Sequence, residues 1–215
     1  GVTRQAMTSL SDNVIWHECD LLAGDVAGVP FGAIAPDALV HLAWVTTPGS
    51  YWSCPSNELW VESSVALLKA FARAGGTRAV FAGTCAEYTW GGGTCHEETS
   101  PLVPATPYGI AKHRTNLMCD RESSRLGVSF AWARLFGAYG AHEHPGRLVP
   151  AIIRSLLCRA PVALSHGEQL RDYLHASEVA SAISATLVSD VCGAVNIASG
   201  RPTTLRHLAY QIANS

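Results

Sequence analysis

A short continuous apolar run, Ala79-Val80-Phe81-Ala82, closes on Gly83-Thr84 and is followed, after a loop, by Pro107 and a long segment with few helix breakers. A run of this length reads as a buried strand. It leaves the Thr84 hydroxyl at a strand's end, which is where open α/β sheets carry their chemistry. Pro107 suits a first helical turn, so residues 108–126 are expected to be helical. Spacing of i,i+4 then stacks Tyr108 and Lys112 on one face, a phenol beside an ammonium.

Such a pair is suited to proton transfer. A free tyrosine, with a pKa of about 10, is a poor base near neutrality, and a cation held within a few ångströms favours its phenolate. The phenol can then give or take a proton at a carbonyl or alcohol oxygen. A strand-end hydroxyl, Thr84, would hold the same oxygen and fix the reacting carbon. The expected site handles an alcohol or a ketone and lacks only a hydride carrier.

These residues, with His41-Leu42-Ala43, Tyr88 four positions after Thr84, Arg134-x-Phe136 followed by Tyr139-Gly140, Arg171-Asp172-Tyr173 and Asn196-Ile197-x-Ser199-Gly200, resemble the extended short-chain dehydrogenase/reductases that act on nucleotide sugars, the NAD-dependent epimerase/dehydratase family. A lone Tyr-x-x-x-Lys occurs by chance, whereas this ordered set runs through nearly the whole chain. The resemblance implies an α/β fold: a Rossmann-like doubly wound parallel sheet with a small C-terminal substrate lobe. It implies NAD or NADP as cofactor, a nucleotide-sugar substrate, and a homodimer formed through the helix of residues 56–74 and the one bearing Tyr108. Thr84, Tyr108 and Lys112 are the expected catalytic residues, with Tyr108 and Lys112 also at the cofactor and Lys112 bonding the nicotinamide ribose.

Composition agrees with an enzyme of this kind and disfavours others. The 215 residues, 48% hydrophobic and 15% charged, can bury a sizeable core. A net charge of -2, with 15 Lys and Arg scattered along the chain, argues against nucleic acid as main partner. Seven cysteines form no C-x-x-C pair, so neither a disulfide framework nor a zinc cluster is indicated, and a reducing cytoplasm is expected. No apolar run approaches the ~18 residues of a membrane span.

The start of the sequence departs from the family pattern. Folds of this kind open on a strand, a glycine-rich turn and a helix, and the first βαβ unit is missing from the residues given. Residues 1–4 read as the end of a second strand and residues 14–20 as a third. Residues 1–135 are thus expected to form a dinucleotide-binding domain without its first strand and glycine turn. Residues 136–175 are a substrate-lobe segment, residues 176–200 return to the sheet, and residues 201–215 begin the C-terminal substrate lobe. A chain that has lost cofactor binding, keeping the fold as a binding protein, is the alternative.

For the cofactor, the resemblance points to Asp20 and Leu21 at the adenine amino group and to Leu42 and the small Ala43 beside the dinucleotide's backbone. Asp20 reads equally as a turn-former before Gly24. His41 is a core histidine. Gly91-Gly92-Gly93 is a turn rather than a phosphate cradle, since no helix start with Lys-Ser/Thr follows.

For the substrate, Thr84, Cys85, Phe136, Gly137, Arg147 and Arg171 are the candidates. Gly137 stands where most relatives carry an Asn that touches the nucleotide sugar, so that contact must come from elsewhere. Trp60 likewise replaces a family Asn. Arg171 would clamp a diphosphate, or else pair with Asp172 at the surface. His142 and His144 lack a third ligand and read as pocket lining or a solvated loop. Cys85-Ala86 after Thr84 replaces the Asp-Glu of the family's dehydratases, and Cys85 lies one residue from the catalytic Cys of its epimerase-reductases. The expected activity is therefore a 4-ketoreductase acting on a nucleotide-activated (deoxy)hexose, with a 4-epimerase as alternative.

Overall fold

A computed structural model describes residues 14–24, 26–91 and 93–215; the strand end expected at residues 1–4 lies outside them. A single turn α1 (Phe31–Ile34) precedes strand β1 (Ala38–His41), helix α2 (Ser56–Arg73), strand β2 (Arg78–Thr84), helix α3 (Pro107–Leu126) and strand β3 (Ser129–Leu135). Then come β4 (Gly137–Tyr139), α4 (Leu148–Leu157), β5 (Leu170–Arg171), β6 (Tyr173–His175), α5 (Ala176–Leu187), β7 (Gly193–Ile197), β8 (Thr203–Thr204) and α6 (Leu205–Ala213). Strands β1, β2, β3 and β7 lie side by side in that order, all parallel.

Helices cover both faces, because the central strands are apolar on both sides. Ala79 and Phe81 of β2 and Phe130 and Trp132 of β3 pack with Val65, Leu68 and Phe71 of α2 and Cys119 of α3. The alternate residues Val80, Ala131 and Ala133 meet Val179 and Ile183 of α5. The sheet is thus doubly wound, as expected. Arg78 at the start of β2 locks α5 to it, donating to the carbonyls of Thr186 (2.6 Å) and Val191 (2.7 Å), so that a helix end that leaves carbonyls unpaired finds a donor.

Helix α3 begins where its sequence dictates. Thr106 caps it by accepting from the Gly109 N–H at 3.1 Å, Pro107 fills the first turn, and Gly127 ends it in a left-handed conformation. The expected strand at residues 14–20 is absent: this stretch has no regular structure, pairs with no described strand, and leaves Val14, Ile15 and Trp16 exposed. An alternation of apolar residues makes a strand only where a neighbouring ladder accepts its backbone, and here none of the described strands does.

The remaining elements gather beside the sheet's C-terminal edge. Strand β5 pairs antiparallel with β8, joining Leu170 to Thr204 and Arg171 to Thr203. Strand β4 runs parallel to β6. These pairs bring residues 137–139, 170–175 and 203–204 to the mouth of the sheet.

Candidate active site

The ends of β2, β3 and β7 are tied by a buried polar network. Glu87, 0% exposed, pairs with the 2% exposed Arg134 at 3.0 Å and accepts from the Trp132 indole at 2.8 Å. The same carboxylate accepts from the Thr84 N–H at 2.9 Å, while the Thr84 hydroxyl accepts from the Ala86 N–H at 3.2 Å, closing a capping box around the turn Cys85–Glu87. Arg134 also donates to the Tyr88 hydroxyl (3.1 Å), which donates to Asn196 (2.8 Å). Four residues that read as parts of a family pattern, Thr84, Tyr88, Arg134 and Asn196, therefore belong to one lattice, and that lattice fixes the position of Thr84.

The first turn of α3 sits directly on this turn. A Cβ on Gly109 would lie 2.5 Å from the Ala86 carbonyl oxygen, so only glycine lets the helix approach so closely. The approach sets the Tyr108 phenol beside the Thr84 side chain, on the wall of one cleft. The Tyr108 ring is held edge-on by Tyr51 (4.9 Å), Trp52 (5.6 Å) and Trp44 (6.2 Å). Burial pushes its phenol above the ordinary value, and the neighbouring Thr84 side chain opposes that rise.

Lys112 departs from expectation. It shares the buried face of α3 with Tyr108 and is 4% exposed, but its ammonium donates to the Ala82 carbonyl at 2.7 Å and lies 3.9 Å from the centroid of the Trp44 ring. Trp44 is anchored by its indole N–H on Asn57 (2.8 Å) and by stacking on Trp60 at 5.7 Å. The aromatic residue that replaces the family Asn therefore backs a second aromatic, and that one covers the lysine. Burial lowers Lys112 from its ordinary 10.5 to about 7, with Glu87 pulling the other way. The cation expected to stabilise a phenolate is turned toward the sheet.

This burial predicts a pH dependence. Below pH 7 the ammonium is charged in both folded and unfolded chains, and the cost of desolvating it is present in full. Between 7 and 10.5 the unfolded chain holds a proton that the folded chain has released, so the parent gains stability as pH rises through that window. Lys112→Met should accordingly raise the melting temperature relative to the parent most below pH 7, with the advantage shrinking toward pH 10. A difference that does not change with pH would contradict the burial of the charge.

Tyr108 and Thr84 open onto a cleft of about 710 Å³ along the strand ends. Of the residues expected from sequence, Leu42, Thr84, Tyr108, Phe136, Gly137 and Arg147 line it. Asp20, Leu21, Ala43, Cys85, Lys112 and Arg171 are not among its lining. Asp20 is exposed and caps a turn by accepting from Leu22 N–H at 2.9 Å, and the Leu21 carbonyl accepts from Ser63 at 2.7 Å. Cys85 is half-buried, its thiol pushed up to about 12 by burial. Arg171 does not pair with Asp172. Its guanidinium bonds Gln169 at 3.0 Å and lies over the Trp90 ring at 4.9 Å, while Asp172 accepts from the Ser199 N–H at 2.7 Å. His41 is the expected core histidine, bonded to Ser64 at 2.9 Å and lowered to about 3 by burial.

Gly137 is explained by its neighbours. A Cβ there would lie 2.7 Å from the Asp172 carbonyl oxygen and 2.9 Å from the Tyr173 ring, so Tyr173 takes the space a side chain would need and itself lines the cleft. Trp44, Tyr51, Glu143 and Tyr173 were not legible as site residues. Trp44 and Tyr51 lie in an irregular segment, and Glu143 is hidden between two more conspicuous histidines.

Comparison with known proteins agrees with this architecture. The family model described as NAD dependent epimerase/dehydratase family matches residues 1–198. A Bacillus subtilis protein named uncharacterized UDP-glucose epimerase YtcB is 28% identical over 172 residues, covering 78% of this chain and 53% of its own. A dTDP-6-deoxy-L-talose 4-dehydrogenase (NAD(+)) of Aggregatibacter actinomycetemcomitans is 27% identical over 172 residues, covering 79% of this chain and 63% of its own. The Thermus thermophilus UDP-glucose 4-epimerase, solved with NAD, shares the fold with a TM-score of 0.78 at 23% identity, over 99% of this chain and 71% of that one. The chain spans about half the length of the first two curated relatives, 53% and 51%. With the family model covering most of its residues, the chain belongs to the NAD dependent epimerase/dehydratase family.

Proposed function

We propose that this chain carries the reaction centre of a nicotinamide-dependent oxidoreductase that reduces a 4-keto group on a nucleotide-activated hexose. The observation that carries the reading is the placing of Tyr108 beside Thr84 at the strand end, both on the wall of one cleft. Tyr108 would give its proton to the ketone oxygen as the carbonyl becomes an alcohol, and Thr84 would hold that oxygen in line. Arg147, whose guanidinium donates to the Thr46 carbonyl at 3.2 Å at the cleft wall, would meet the diphosphate. Arg171 becomes a diphosphate ligand only by leaving Trp90.

The residues present fit the redox end of a dinucleotide. Ala82 and Gly83 are small, Leu42 is 58% exposed, and all three line the cleft beside the hydroxyl pair. Bound there, NAD in its reduced form would supply the hydride. Leu42 and Ala43 would flank its backbone and Asp20 with Leu21 its adenine end, as the family resemblance implies. Lys112 would reach a ribose hydroxyl only with Trp44 displaced.

Residues 136–175 and 201–215 are assigned to a substrate lobe. The β5–β8 pairing supports this, as does the Leu205 N–H donating to the Gln169 carbonyl at 3.1 Å. We also assign the outer face of α2 and α3 to a second copy of the chain. Leu59, Ile110, Leu117 and Met118 are exposed there, beside the ion pair Arg114–Glu58. Sedimentation should give a dimer, reduced to a monomer by Leu117→Glu; a monomeric parent would contradict the assignment.

The function is tested with reduced nicotinamide and a nucleotide-linked 4-keto-6-deoxyhexose. A ketoreductase consumes reduced cofactor in proportion to product. Interconversion of UDP-glucose and its 4-epimer without net cofactor consumption would replace this reading with an epimerase. Binding of the nucleotide sugar with neither reaction would make the chain a silent homologue.

A further inference from the structure

The cleft has a polar group that the reaction just described does not use. Among the described residues lining it, Glu143 is the one acid and Arg147 the one arginine. The wall around them is largely aromatic or aliphatic, including Tyr51, Phe136, Tyr139 and Tyr173, with Thr46, Thr84 and His142 as its other polar side chains. One carboxyl oxygen of Glu143 is buried and accepts no hydrogen bond from the protein. A buried oxygen without a donor is costly, and a native structure keeps one where something else supplies the donor.

The backbone places this side chain deliberately. His142, just before it, has φ 65, a left-handed conformation that a non-glycine residue adopts at a cost, and the Glu143 N–H closes a turn onto the Gly140 carbonyl at 3.3 Å. The turn sets Glu143 where the main cleft meets a side pocket of about 290 Å³, lined also by Tyr139, Val149, Pro150 and His175. Glu143 is therefore on the wall shared by the two spaces. Burial raises its pKa above the ordinary carboxyl value, against the opposing influence of Arg147.

We propose that Glu143 is a specificity-determining residue that hydrogen-bonds a hydroxyl of the hexose ring, while Arg147 beside it takes the diphosphate. The proposal rests on the nucleotide-sugar reading above. A carboxyl would repel a phosphate and matches a hydroxyl, which both donates and accepts. The ring hydroxyls of a sugar are the groups of that chemistry that a nucleotide-sugar substrate would bring into the cleft. The side pocket then leaves room for a substituent on the same ring.

The test is calorimetric binding of UDP, UDP-glucose, dTDP, dTDP-glucose and NAD to the full chain and to Glu143→Ala and Glu143→Gln, with melting curves of all three. Loss of a hydrogen bond to a carboxylate corresponds to about tenfold to a hundredfold in affinity. Glu143→Ala should lose that factor on the preferred nucleotide sugar and stay within about twofold on the matching nucleoside diphosphate and on NAD, with Glu143→Gln in between. Melting temperatures should hold or rise, because an unpaired buried oxygen has been removed. Equal losses on UDP and UDP-glucose, a loss on NAD instead, or a lowered melting temperature with every affinity unchanged would overturn the role of Glu143. A parent that binds neither nucleotide sugar would overturn the proposed function and the hydroxyl contact with it.

Discussion

Tyr108→Phe should lower turnover by about 10²–10⁴-fold, the range for removing a positioned proton donor, while binding of substrate and cofactor stays near the parent's. The substitution removes one oxygen and keeps the ring, so the edge-on contacts with Tyr51, Trp52 and Trp44 persist and the melting temperature should be nearly unchanged. Steady-state rates and ligand affinities measured on the same preparation check it. Thr84→Ser, which keeps the hydroxyl, should be far milder. Near-parental rates in Tyr108→Phe would show that the proton reaches the substrate oxygen from elsewhere.

Arg134→Met should be the most destabilising single change at the site. It strips the partner from Glu87, which is 0% exposed, and leaves a carboxylate without its charge partner among Trp132, Thr84 and the sheet. Breaking a buried pair from one side costs about 3–5 kcal/mol. For a chain of this size that is about 6–20 °C in melting temperature. Replacing both members, Glu87→Leu with Arg134→Met, should recover part of the loss, since neither member of the pair is left buried without the other. The exposed pair Arg206–Glu168, at 2.8 Å with side chains 59% and 58% exposed, is the control, and its removal should change little. Thermal denaturation followed by circular dichroism reads all four proteins. If the double variant were no better than Arg134→Met, hydrogen bonds of the network rather than the buried charge would account for its stability.

Much of the sheet was legible because its signals are strong. Residues 38–43, 79–82 and 128–134 are mainly apolar stretches of strand length, and α2 and α3 are long and nearly free of breakers, α3 with a Thr106 cap as well. That Thr84 and Tyr108 meet follows from a strand end and a helix start, both visible in the chain. The segment 14–20 has the composition of a strand, but a strand exists only with a neighbour, and composition does not say which ladder is free. Sequence spacing likewise aligned Lys112 with Tyr108 on one face without revealing that an indole 68 positions earlier in the chain covers the ammonium. Tyr88, Arg134 and Asn196 stood out as residue types, but their mutual bonds cross three strands, and only the register of β2, β3 and β7 brings them together. Glu143 carries no periodic signal. Its position comes from a left-handed residue in a loop, which no apolar pattern encodes.

The account turns on hydride transfer at one sugar carbon, with Tyr108 handling the proton of the oxygen attached to it. The most direct measurement runs the alcohol-to-ketone direction on a nucleotide sugar deuterated at C4 with oxidised nicotinamide, and follows the label by mass spectrometry. The expected result is deuterium in the nicotinamide ring, a slowed rate relative to the unlabelled sugar, and transfer slowed by about 10²–10⁴-fold in Tyr108→Phe. Deuterium lost to solvent would mean that the carbon gives up a proton rather than a hydride, and would contradict the account.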